Sequence, residues 1–167
     1  MTLDEQDQVS AKILSVWPDA KRIDRREDPR SGYRAFHLVP KVMGCRVEIQ
    51  IRTIYQDTWA QMMEMLADHW GRGIRYGQEP LDPDRPIAPG EDATRREVVS
   101  DWIDLGDALH SLARTENAVA RLRSLGVPPP AGSELEFEEV DTIHETAQRL
   151  IRYLREHVDA PEGLGSG

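Results

Sequence analysis

The chain has a single cysteine, a deficit of basic residues and no long apolar run, and each shortage removes a class of function. Cys45 alone cannot form an internal disulfide or a thiolate metal site, which removes structural zinc and dithiol redox chemistry. No apolar run approaches the ~20 residues a membrane span requires, so no spanning helix is expected. The opening Met1-Thr2-Leu3-Asp4-Glu5-Gln6-Asp7 has no basic stretch followed by an apolar core and does not resemble a secretion signal, which points to the cytoplasm. Twenty-one Lys and Arg face thirty Asp and Glu, a formal net charge of -9, and so large an acidic surplus argues against non-specific binding to DNA or RNA. With 167 residues, 39% hydrophobic, 31% charged and a mean hydropathy of -0.58, one ordinary domain plus an addition is the expected scale.

The local charge departs from the global one. Between Lys21 and Arg34 six basic residues (Lys21, Arg22, Arg25, Arg26, Arg30, Arg34) stand against three acids, enough to meet a small phosphorylated ligand. Before this stretch, Val9, Ile13, Leu14 and Val16 recur at helical spacing between Leu3 and Trp17, and Pro18-Asp19 closes the segment. Ala20 to Asp24 is extended, and Pro29, Ser31 and Gly32 are turn residues. Two strands follow, Tyr33 to Val42 and Cys45 to Arg52, joined by Met43-Gly44 as a hairpin. Thr53 and Gln56 form a capping box for a helix whose Tyr55, Trp59, Met62, Met63, Leu66 and Trp70 share a core-facing stripe ended by Gly71 and Gly73. A Pro-rich loop occupies 78–92. A helical region covers 93–160, first with Val98, Trp102, Leu105, Leu109 and Leu112, then with Val140, Ile143, Ala147, Leu150, Leu154 and Val158, and 161–167 is a disordered tail by composition. The apolar stripes of these C-terminal helices need a partner, either the rest of the chain or a second copy in a homo-oligomer.

The hairpin concentrates the chemistry. Side chains alternate along a strand, so Cys45, Val47, Ile49 and Ile51 point one way and Arg46, Glu48, Gln50 and Arg52 the other. A two-residue turn at Met43-Gly44 sets Leu38 opposite Ile49 and His37 opposite Gln50. Tyr33, Ala35 and His37 thereby join the polar face, and Cys45 falls on the apolar face as a buried thiol. Periodicity alone favours a solvated sheet face. The basic loop entering at Tyr33 adds the other reading: guanidinium forks pair with phosphate, a tyrosine stacks on a base, and a carboxylate serves a magnesium ion or a hydroxyl. His69, His110 and His144 have no second ligand at the spacing of a metal site, and Asp101, Asp104 and Asp107 fit a solvated helix face.

Gly32-Tyr33-Arg34-Ala35-Phe36-His37-Leu38, then Val47-Glu48-Ile49-Gln50-Ile51-Arg52-Thr53 and Trp59-Ala60, resemble the G-Y-x-x-x-H and E-x-Q-x-R-T...W-A signature of RelA/SpoT-type (p)ppGpp synthetase domains, the GTP pyrophosphokinase family. The resemblance is specific over 29–60 and looser from about Gln6 to Gly77, where Gly73-Ile74-Arg75-Tyr76-Gly77 is similar to a stretch in some members, and it implies a partial synthetase-like domain over 1–77. It implies an α+β fold, a mixed or antiparallel sheet flanked by helices and partly nucleotidyltransferase-like, with a C-terminal helical appendage. It also implies transfer of pyrophosphate from ATP to the ribose 3'-hydroxyl of GDP or GTP. Carried over, Tyr33 stacks on the guanine and His37 sits near the acceptor phosphates. Glu48 binds magnesium or acts as base, supported by Gln50 and Arg52. Arg30, with Arg25, Arg26 and Arg46 as neighbours, supplies phosphate contacts.

The ATP-binding basic segment and the D-x-x-G-x-R strand of that family have no counterpart here, and with Glu48 as the lone carboxylate the magnesium site is underpopulated. Three expectations follow: an N-terminally truncated enzyme domain inactive by itself, a guanine-nucleotide or alarmone-binding regulatory module, or one half of a split synthetase whose ATP comes from elsewhere. The same fold acting on another acceptor is a further alternative.

Overall fold

The computed structural model describes residues 1–87 and 90–130, together with residue 152. Apart from residue 152, the expected last helix from Val140 to Val158, with His144 and the tail 161–167, lies outside the described residues. Helix α1 spans Leu3–Val16, strand β1 Lys21–Asp24, β2 Phe36–Val39, β3 Lys41–Val42, β4 Cys45–Arg46, β5 Ile49–Ile51, α2 Ile54–Trp70 and α3 Arg95–Ser124, with a 3-10 turn over Arg72–Tyr76. The class is α+β, with two small antiparallel sheets. Among the described residues no helix is long and apolar enough to cross a membrane.

The hairpin forms in the register that a two-residue turn imposes. Met43 and Gly44 both have positive φ, 50° and 84°, as a hairpin turn of matching twist requires. Val42 pairs with Cys45 and Lys41 with Arg46; further down, Leu38 opposes Ile49, His37 opposes Gln50 and Phe36 opposes Ile51. Pro40 has no amide hydrogen to donate, and the ladder is interrupted there into separate sheets, with only Val47 N–H reaching Pro40 C=O at 3.1 Å. β1 adds antiparallel to the other edge of β2, placing Ile23 opposite His37. Cys45 is exposed, contrary to its place on the apolar strand face, because the tip projects past the body: Met43 is 99% exposed and Val47 is exposed too. Burial on that face begins at Leu38 and Ile51.

α2 starts from the expected capping box: Thr53 Oγ1 accepts from Gln56 N–H, and Gln56 Oε1 accepts from Thr53 N–H at 3.0 Å. Its apolar stripe packs on α3, and one continuous core runs from Tyr55, Trp59, Met62 and Trp70 to Val99, Trp102, Leu109 and Ala113. Each of two indoles donates to the other residue's backbone carbonyl, Trp59 Nε1–H to Trp102 O at 2.7 Å and Trp102 Nε1–H to Trp59 O at 3.1 Å. α3 is therefore part of the core and not an appendage. Its far end is tied to α1, where Asp4 accepts from Arg121 at 2.6 Å and from Asn117 at 3.0 Å.

α1 departs from its apolar periodicity. Its buried side chains are Gln6 and Ser10, while Val9 and Val16 stay exposed. Gln6 Nε2 donates to the Ile51 carbonyl at 2.6 Å and to Gln56 Oε1 at 2.9 Å, so a buried amide joins α1, β5 and the start of α2.

Candidate functional site

Between the polar sheet face, the loop before Tyr33 and one side of α2 lies a cavity of about 320 Å³, within the range of small-ligand pockets. Its placement starts at Ser31-Gly32. Both have positive φ, 48° and 82°, and Tyr33 N–H donates back to Arg30 C=O at 2.8 Å, closing a tight turn. A Cβ on Gly32 would stand 2.8 Å from Ile103 O and 3.0 Å from the Trp59 ring, so this turn is seated where α2 and α3 cross. Gly106 makes the matching approach from α3, with the Gly32 carbonyl 2.8 Å from its Cβ position. Tyr33 is thereby delivered to the cavity from a fixed point.

The polar side chains of the hairpin face close into a ring. Tyr33 Oη lies 2.8 Å from His37 Nε2, and His37 Nδ1 lies 2.7 Å from Glu48 Oε1. Glu48 Oε2 receives Gln50 Nε2–H at 3.5 Å, Gln50 Oε1 receives Arg52, and Arg52 Nη2–H returns to Tyr33 Oη at 3.1 Å. A carboxylate only accepts, which puts a proton on Nδ1, and in the neutral ring Nε2 then accepts from the Tyr33 hydroxyl. The donor direction then runs unbroken from Arg52 through Tyr33 and His37 to Glu48. His37 is buried, whereas the Glu48 side chain is about half exposed and opens into the cavity.

Arg52 also pairs with Asp57 at 3.2 Å, and its guanidinium lies 5.4 Å from the Tyr33 ring centroid. Burial works against its charge, but the hydrogen bonds and charges of Tyr33 and Asp57 outweigh burial and hold its pKa above the ordinary value. The Tyr33 ring meets the Trp59 ring at 6.0 Å and the His37 ring edge-on at 5.7 Å.

Of the residues expected at the site, Tyr33, His37, Glu48, Gln50, Arg52, Arg25 and Arg30 line this cavity. Arg30 is exposed and its guanidinium has no hydrogen bond or ion pair among the described residues, leaving it open to an anion. Arg25 holds Asp28 at 3.1 Å. Arg26 is placed elsewhere: it pairs with Asp24 at 2.5 Å and Asp7 at 2.7 Å and covers the Phe36 ring, so its charge is spent between β1 and α1. Arg46 is also apart, on the outer hairpin beside Lys41.

Ile23, Trp59, Ala60, Met63, Glu64, Arg75 and Tyr76 complete the lining. Trp59-Ala60 and Arg75-Tyr76 stand in the stretches that carry the resemblance, which was the available signal for them. Ile23 enters through β1 pairing, which no local pattern specifies. Tyr76 is 72% exposed at the rim, a second ring facing an opening already marked by Tyr33. Of the four arginines in the lining, Arg25, Arg52 and Arg75 face Asp28, Asp57 and Glu64, and Arg30 is the one without an acidic partner among the described residues.

Among the described residues no group of three or more His, Cys, Asp or Glu side chains comes together, and Glu48 already bonds His37. These side chains alone do not fit a magnesium ion.

Proteins of Mycobacterium bovis and Mycobacterium tuberculosis, each described as an uncharacterized protein, are 47% identical to this chain over 68 residues. The match takes in 41% of this chain and 25% of those relatives, so it spans only a quarter of their length. No protein-family model matches the chain, and no solved structure matches it.

Proposed function

We propose that the cavity binds a guanine nucleotide, GDP or GTP, as the acceptor of a RelA/SpoT-type pyrophosphate transfer. The observation that carries this reading is the convergence of Arg25, Arg30, Arg52 and Arg75 with two tyrosine rings and the half-exposed carboxylate of Glu48 in a single cavity, where the other glutamate, Glu64, faces Arg75 at 3.8 Å. Arg30, unpaired among the described residues, and Arg25 take the nucleotide phosphates as charge-assisted forks. Tyr33, held by His37 and Arg52, presents a ring of fixed orientation for stacking on the base, and Tyr76 covers the opening.

Glu48 is placed to act as a base. Its Oε1 accepts the His37 Nδ1–H, while Oε2 has only the long contact from Gln50 and is available to a ribose hydroxyl. A negative charge steadied on one oxygen and open on the other orients the 3'-hydroxyl and accepts its proton as the oxygen attacks the β-phosphorus of ATP, whose bond to the oxygen bridging to the α-phosphate breaks and releases AMP. His37 thereby acts as a positioning residue. The ATP donor, and any magnesium with it, has to be supported by groups other than those described. The lack of a metal-binding cluster among the described residues also favours a second reading, a regulatory module that binds guanine nucleotide without turnover.

The test is calorimetric titration with GDP and GTP, alongside incubation with magnesium, labelled ATP and either acceptor, for the parent chain, Tyr33→Ala and Glu48→Gln. Micromolar binding lost in Tyr33→Ala supports the site, and transfer lost in Glu48→Gln with binding retained supports the base. Nucleotide binding without transfer leaves the regulatory module, and absence of binding to both nucleotides sinks the proposal.

A further inference from the structure

A second pocket, with a volume of about 520 Å³, lies where the end of α1 meets the root of the outer hairpin and shares no lining residue with the first. Three cations surround it: Lys21 at the start of β1, Lys41 on β3 and Arg46 on β4. All three are exposed, and none makes an ion pair or side-chain hydrogen bond among the described residues. Lys41 and Arg46 are direct cross-strand partners, an opposition of like charges that weakens a ladder. Asp19, the one carboxylate in the lining, is bonded to none of them. On a chain with a net charge of -9, three unneutralised cations converging on one concave surface stand out.

The pocket also has a ring. Trp17, the C-cap of α1, is half-buried beside Val16 and Val39. An indole presents a π-face to a planar base, and the cations beside it meet phosphate oxygens.

We infer that this pocket is a second ligand site that takes a nucleoside polyphosphate, with phosphates on Lys21, Lys41 and Arg46 and the base against Trp17. The overall acidity favours a small ligand over a nucleic acid, whose long polyanionic backbone the rest of the surface repels. This inference does not rest on the guanine-nucleotide reading of the first cavity.

The test is titration of the 167-residue chain carrying Arg30→Gln, which weakens the first cavity, with ATP and separately with inorganic tripolyphosphate. Both are expected to bind. Adding Lys41→Gln and Arg46→Gln, at exposed positions that leave the core intact, weakens both by at least about tenfold. Trp17→Leu weakens ATP by about fivefold or more and leaves tripolyphosphate within about twofold. The inference is overturned if neither anion binds, or if the paired Lys41 and Arg46 substitutions change nothing. It is equally overturned if Trp17→Leu affects both anions alike, or if a ten-nucleotide RNA binds more than about tenfold tighter than ATP.

Discussion

Replacing Gly32 by alanine perturbs the point where the loop carrying Tyr33 is pinned to the crossing of α2 and α3. Two costs add. At φ +82° an L side chain is strained, worth about 1–2 kcal/mol. The new methyl also stands 2.8 Å from the Ile103 carbonyl and 3.0 Å from the Trp59 ring, and neither a helix backbone nor a buried indole yields cheaply. Overpacking of this kind costs about 1–3 kcal/mol. The sum, about 2–5 kcal/mol, corresponds to a fall in Tm of roughly 5–15 °C for a chain of this size. Gly44→Ala is the internal control: its φ is +84°, nothing lies within 4 Å of the added Cβ, and only the conformational cost applies. Urea unfolding of both variants isolates the packing contribution as their difference, expected to be about 1–3 kcal/mol. A difference below about 0.5 kcal/mol would refute the seating of this turn against α2 and α3.

Three further outcomes are expected. Arg121 and Asn117 hold the Asp4 carboxyl down at about 2, from 3.8, so the stability it lends the α1 to α3 tie is complete above about pH 4 and lost as pH falls toward 2. Asp4→Asn removes that share of the acid slope in urea midpoints measured from pH 5 to 2, and an unchanged slope would contradict the tie. Trp102→Phe deletes the donor to the Trp59 carbonyl, which keeps its intrahelical partner, so the loss in chemical denaturation is that of one buried hydrogen bond, about 0.5–1.5 kcal/mol. Cys45, exposed at the hairpin, is expected to react with a thiol reagent in the native chain about as fast as in urea, and strong native protection would restore the buried assignment.

Local physics decided much that was legible beforehand. The Thr53 and Gln56 capping box, the Met43-Gly44 turn, the His37 to Gln50 register and the stripe from Tyr55 to Trp70 each depend on residues near in sequence. The polar row of Glu48, Gln50 and Arg52 beside Tyr33 and His37 follows from alternation once that register exists. What distant segments contribute was not legible. The fate of Arg26 was decided by Asp7 and Asp24, and Arg30, with no such neighbour among the described residues, keeps its guanidinium free. Gln6 is buried because β5 has a carbonyl for it, a partner forty-five residues away that outweighs the polarity of the amide. Cys45 alternates with core residues but lies beyond the reach of the core, since alternation sets the direction of a side chain and not what it meets. Sequence pattern thus determined the elements, their register and the chemical character of the hairpin face. Only tertiary packing decided which charges remain unpaired and which lie in the cavity, because ion pairing and burial depend on what long-range folding brings within a few ångströms.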